Sequence, residues 1–134
     1  LTTTDPNEAQ AYLKLLAGKR ILIVEDEYFI ADETRKALQA AGAHVVGPAP
    51  SVNIGMAMID DELIDAAILD IRLEGETVFP IADRLHNESI PFVFATAYIN
   101  ANIPEKFGGY HLCEKPTALA EIAAALFSPS SKLQ

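Results

Sequence analysis

The chain is short of cysteine, of positive charge and of long apolar runs. With Cys113 as its single cysteine it cannot form an internal disulfide, and a reducing cytoplasm is the simplest compartment. Ten Lys and Arg against nineteen Asp and Glu leave a formal charge of -9. That balance argues against direct binding to nucleic acid or to an anionic membrane surface, and no Lys/Arg-rich run offsets it. No apolar stretch approaches the ~20 residues of a membrane-crossing helix. The N-terminus lacks the charged start and apolar centre of a signal peptide. Internal repeats and low-complexity tracts are missing too. Because the chain starts at Leu1 rather than Met, we expect a trimmed tag or an excised domain.

Half of the 134 residues are hydrophobic, enough for one substantial core and no second folded module. Asp5, Pro6 and Glu8 punctuate a helix start, and Gly18 can end it. Ala9, Tyr12, Leu13 and Leu16 give that helix an apolar stripe, which must lie on its own domain, form a homodimer contact or belong to a linker. We therefore expect an N-terminal helical extension over residues 1–18, a main domain over 19–127 and a tail over 128–134.

From Arg20 onward short apolar runs alternate with segments of helical period, the pattern of an α/β domain with a parallel sheet. Strands are expected at residues 20–25, 43–48, 65–70, 91–96 and 109–114. Helices follow from Ile30 to Ala41, Val52 to Leu63, Phe79 to Leu85 and Leu119 to Leu126. The crossover at 97–108, with Asn100, Asn102, Pro104 and Gly108, has little periodicity. It is expected to be mobile, with at most one or two helical turns. Right-handed crossovers make a flavodoxin-like, doubly wound sheet of order 2-1-3-4-5 the leading topology, with ligands at the carboxyl ends of the adjacent first and third strands.

The run Ile21-Leu22-Ile23-Val24 stops on Glu25-Asp26-Glu27, and the run from Ala66 to Leu69 stops on Asp70. Carboxylates gathered at one sheet edge repel a flavin or dinucleotide phosphate unless a cation intervenes, so a Mg²⁺ (or Mn²⁺) site handling phosphate is favoured. Asp70 is then the nucleophile toward phosphorus. Asp26 is the main metal ligand, Glu25 holds the ion through a water, and the Arg72 backbone carbonyl offers a further oxygen. Thr96, ending the fourth strand, can donate its hydroxyl to a phosphoryl oxygen. Lys115, ending the fifth, adds a point charge, and Lys115-Pro116 is a candidate cis bond. Glu27 more naturally opens the first helix, where its charge suits the dipole. His44, His86 and His111 show no metal spacing and no matched cysteines, and Cys113 reads as a small core residue.

Singly, each of these residues has an ordinary surface or capping explanation; it is their order along one sheet that carries the reading. The ordered set resembles the receiver domain of two-component response regulators over about residues 19–127. Ile21 to Glu27 matches the first strand and acid pair, Ala67-Ile68-Leu69-Asp70 the phosphoacceptor strand, and Glu114-Lys115-Pro116 the lysine turn. Pro91 to Tyr98 and Leu73-Glu74-Gly75-Glu76-Thr77 are similar to the "FAT GUY" subgroup, with Ala97 in place of its glycine. The resemblance implies a cytoplasmic signalling domain that takes a phosphoryl group onto Asp70 from a sensor histidine kinase or a histidine phosphotransfer protein. Apart from its own phosphorylation and dephosphorylation it is expected to be no enzyme. Leu112 stands where many receivers have a switching aromatic, which makes Tyr98, beside Thr96, the switch candidate. A haloacid-dehalogenase-type phosphatase and a phosphorylation-independent pseudo-receiver scaffold are the alternatives. The first needs an Asp-x-Asp motif, where this chain has Glu-Asp-Glu.

Overall fold

A computed structural model describes residues 5–97, 103–115 and 118–128. In chain order these form α1 (Pro6–Lys14), β1 (Arg20–Val24), α2 (Tyr28–Ala40), β2 (His44–Ala49), α3 (Val52–Asp61), β3 (Ala66–Asp70), β4 (Arg72–Leu73), β5 (Glu76–Thr77), α4 (Phe79–Asn87), β6 (Phe92–Thr96), a 3-10 turn (Glu105–Phe107), β7 (Leu112–Glu114) and α5 (Leu119–Phe127). β1, β3 and β6 are the apolar runs. They are buried almost throughout because both faces of a parallel sheet are covered. The strand order β2-β1-β3-β6-β7, parallel at each step, is the expected flavodoxin-like topology.

The two-residue period of each strand sorts its side chains into two cores. Leu22, Val24, Leu69 and Phe94 face Ile59, Ile81, Leu85 and Phe107, on the α3 and α4 side. Ile21, Ile23, Ile68, Val93 and Cys113 face Leu38, Ile122 and Leu126, on the α2 and α5 side. α1 and the turn after it join the second core: Leu16, just past the helix, is fully buried, and Tyr12, Leu13 and Phe127 pack against that core. The helix start follows its sequence signals, with the Asp5 carboxylate accepting the Asn7 N–H at 2.9 Å and Pro6 in the first turn. Of the three uses for its stripe, lying on its own domain is the one seen within this chain.

β1 and β2 slip register between Leu22 and Val24, where β2 carries one residue more than β1. Gly47 sits in that bulge at φ +93, and an added Cβ there would lie 2.8 Å from the Ala49 N and 3.0 Å from the Ile23 O. The peptide between Gly47 and Pro48 is cis. Lys115-Pro116, the bond singled out from the sequence, lies outside the described residues because Pro116 does.

One expectation needs correction. β7 begins at Leu112, not 109, because the preceding residues close into turns: Phe107 N–H donates to Pro104 O, Gly108 N–H to Glu105 O and Tyr110 N–H to Phe107 O. In the fourth crossover the described residues hold one short 3-10 turn, Glu105–Phe107, within the one or two turns expected, and Phe107 is buried against Phe79, Phe92 and Phe94. The β4–β5 hairpin has no counterpart among the expected elements. Its two-residue ladder, Arg72 with Thr77 and Leu73 with Glu76, turns at Gly75, φ +76. From it the Glu76 carboxylate accepts the Val52 N–H at 3.0 Å, at the start of α3.

Candidate phosphoacceptor site

Parallel strands deliver their carboxyl ends to one edge, and register decides which ends meet. Val24 pairs with Leu69, so Glu25 emerges beside Asp70. Thr96 pairs with Glu114, and the Lys115 N–H donates to the Thr96 O at 2.8 Å, which fixes where the lysine leaves β7. The Lys115 ammonium then reaches back over the edge to donate to Glu25 Oε1, and lies 3.3 Å from Asp70 Oδ2. Glu25 is braced in turn: its Oε2 accepts the Glu27 N–H at 3.0 Å, and its own N–H donates to Ala49 O at 2.9 Å. Glu27 is the N-terminal cap residue of α2, close to its expected place, though its side chain makes no capping bond.

Among the described residues the buried polar side chains are Glu25, Asp70 and Thr96, at 6%, 8% and 0% exposure. Two buried carboxylates thus share one ammonium. Burial, reinforced by the neighbouring Glu25 charge and only partly opposed by Lys115, pushes the Asp70 carboxyl up from 3.8 to about 7. Asp26 is exposed, and one oxygen each of Glu25, Asp26 and Asp70 lie within 4.8 Å of one another. Three carboxylates with no sulfur or nitrogen donor among them fit a hard divalent cation, and the imbalance at Asp70 is what such a cation would relieve. Beside the acids a cleft of about 470 Å³ runs between α2 and α5, lined by Glu25, Asp70, Ala95 and Lys115 and by apolar Ile30 and Ile122.

The residues singled out from sequence are therefore largely brought together: Glu25, Asp26, Asp70 and Lys115 converge, and Thr96 is hydrogen-bonded through its main chain to Lys115. Arg72 lies two residues past Asp70, its place set by the hairpin ladder. Tyr98 lies outside the described residues. The Lys115 to Glu25 pair is not among the expected contacts; its signal is that two buried acids face one lysine. Tyr110, given no role from sequence, stacks on Phe92 with ring centroids 4.0 Å apart and shares a 2.7 Å hydrogen bond with His86 Nδ1. Leu112, at the usual aromatic position, pairs with Phe94 inside the sheet.

The response regulator receiver domain model matches residues 21–127. The chain belongs to that family. Among curated proteins, the receiver domain is 35% identical over 82 residues to the sensory transduction protein LytT of Bacillus subtilis (strain 168), a match covering 59% of this chain and 34% of LytT. The chain thus spans about a third of that relative's length. Among solved structures it is similar to SdrG from Sphingomonas melonis Fr1, at TM-score 0.72 and 37% identity, covering 81% of this chain and 96% of SdrG. It is also similar to the response regulator PhyR from Brucella abortus, at TM-score 0.74 and 25% identity, covering 96% of this chain and 56% of PhyR. The receiver is thus a signalling domain of two-component type, not a metabolic enzyme. Among the described residues no helix is long and apolar enough to cross a membrane.

Proposed function

We propose that this receiver accepts a phosphoryl group on Asp70 from a phosphohistidine of a sensor histidine kinase or a phosphotransfer protein, in the cytoplasm. The reading rests above all on a buried Asp70 at the end of a central strand, with the Lys115 ammonium 3.3 Å away. An Asp70 carboxylate oxygen attacks phosphorus, the P–N bond breaks, and the bond pair leaves with the donor imidazole. Lys115 offers charge to the phosphoryl oxygens as its contact with the free Asp70 carboxylate is given up, and Thr96 donates its hydroxyl to one of them. Glu25, Asp26, Asp70 and the Arg72 carbonyl are the oxygens proposed to hold Mg²⁺ or Mn²⁺, which when bound offsets the negative charge of acids and phosphate together. SdrG, 36% identical over the aligned region, has also been solved in a BeF3-activated conformation, which supports an activatable receiver here.

For the donor's landing site, the reading points to Tyr28 and Phe29 at the start of α2. They are 71% and 81% exposed, stand edge to face at 5.5 Å, and follow the acids directly in sequence. Tyr98 is retained as a switch candidate. Incubation with acetyl phosphate and Mg²⁺, followed by intact mass, tests the proposal. The wild type should gain one phosphoryl group and Asp70→Asn none. Equal adducts in both would exclude Asp70 as the acceptor. Turnover of generic phosphate esters would instead favour the phosphatase reading.

A further inference from the structure

A second cluster of ligating side chains lies away from the acids, where β7 meets α5. His111 directly precedes β7 and Cys113 lies within it, where Cys113 packs in the core on the α5 side. Glu121 lies in the first turn of α5. His111 Nε2 is 3.1 Å from Glu121 Oε2, and a nitrogen, a sulfur and an oxygen from the three residues all lie within 4.8 Å of one another. Ligands about 2.0–2.3 Å from a tetrahedral Zn²⁺ stand roughly 3.3–3.7 Å apart, so the three atoms need close by no more than about an ångström and a half.

The chemistry of the set differs from that of the phosphoacceptor site. One thiol, one imidazole and one carboxylate select a borderline-soft transition ion over Mg²⁺ or Ca²⁺. The Cys113 side chain is fully buried, whereas His111 and Glu121 are 40% and 38% exposed, so an ion could enter from their side.

We propose that His111 Nε2, Cys113 Sγ and a Glu121 carboxylate oxygen form a three-ligand site for Zn²⁺, with water as the fourth ligand. On binding, the Cys113 S–H bond breaks, its electron pair goes to the metal and the proton goes to solvent. No motif in the sequence shows this site, because its third ligand comes from the next helix.

Co²⁺, a spectroscopic stand-in for Zn²⁺, tests the site. It is titrated into the full chain in the presence of excess Mg²⁺, so that the carboxylate cluster is saturated. Cys113 is the only cysteine, so a thiolate-to-cobalt charge-transfer band can arise from nowhere else. The expected result is such a band, saturating at one ion per chain and displaced by Zn²⁺. His111→Gln and Glu121→Gln should each weaken binding at least tenfold. Cys113→Ser should abolish the band; where that variant fails to fold, the two partly exposed positions carry the test. No band in the wild type at millimolar Co²⁺ would overturn the proposal. So would a band of unchanged affinity in both the His111 and Glu121 variants.

Discussion

Removing the Asp70 charge should stabilise the metal-free receiver, although Asp70 is the residue on which its chemistry turns. Asp70 and Glu25 are both buried, and Lys115, itself only 15% exposed, is the cation between them. With its carboxyl raised from 3.8 to about 7, the folded chain holds the Asp70 proton more tightly than the unfolded chain does. Asp70 therefore costs nothing below the unfolded value. Its penalty grows as pH rises from about 4 and is complete once pH passes about 7. About three pH units at 1.36 kcal/mol each put that penalty on the order of 4 kcal/mol. For a domain of this size that is roughly 10–15 °C in Tm. Asp70→Asn keeps the shape without the charge. In chelator at pH 8 it should melt well above the wild type, by up to that amount, and the gap should shrink toward pH 5. Mg²⁺ should raise the wild type and leave the variant almost unmoved. Thermal denaturation followed by circular dichroism across pH 5–8 reads all of this. A variant no more stable than the wild type at pH 8, or a gap that does not change with pH, would refute the electrostatic account of the site.

Other perturbations separate scaffold from site. Gly47→Ala forces a Cβ against the Ala49 and Ile23 backbone at a positive φ, and chemical denaturation should show a loss of about 2–4 kcal/mol. Leu85→Ala empties a fully buried position between α4 and the sheet and should cost about 2–5 kcal/mol in the same assay. Phe29→Ala should lower the rate of phosphotransfer from a cognate kinase while leaving the rate with acetyl phosphate unchanged. Equal rates from the kinase would remove the aromatic pair from the landing site.

How much of this the chain announces follows from where its pattern is local. β1, β3 and β6 are buried on both faces, so each is an uninterrupted apolar run, and the acids that end two of them mark the sheet edge directly. The convergence of Glu25, Asp26 and Asp70 follows from strand order plus register, and strand order could be argued from crossover handedness. The start of β7 could not. Tyr110 reads as strand by its apolar character, but its ring is used to stack on Phe92 across a turn. The β4–β5 ladder is too short to show a period, leaving Gly75 as its one signal. The Lys115 to Glu25 pair and the cluster of His111, Cys113 and Glu121 join residues from different elements, where spacing along the chain carries no information.

The central claim is that Asp70 carries the phosphoryl group, and reductive trapping reads that most directly. The wild-type receiver is phosphorylated by acetyl phosphate with Mg²⁺, or by a cognate kinase, then treated with borohydride, which converts an aspartyl phosphate to homoserine, and the peptides are mapped by mass. Homoserine at position 70, and at no other acid, is the predicted result. Homoserine at another acid, Asp26 included, or none with any donor, would contradict it.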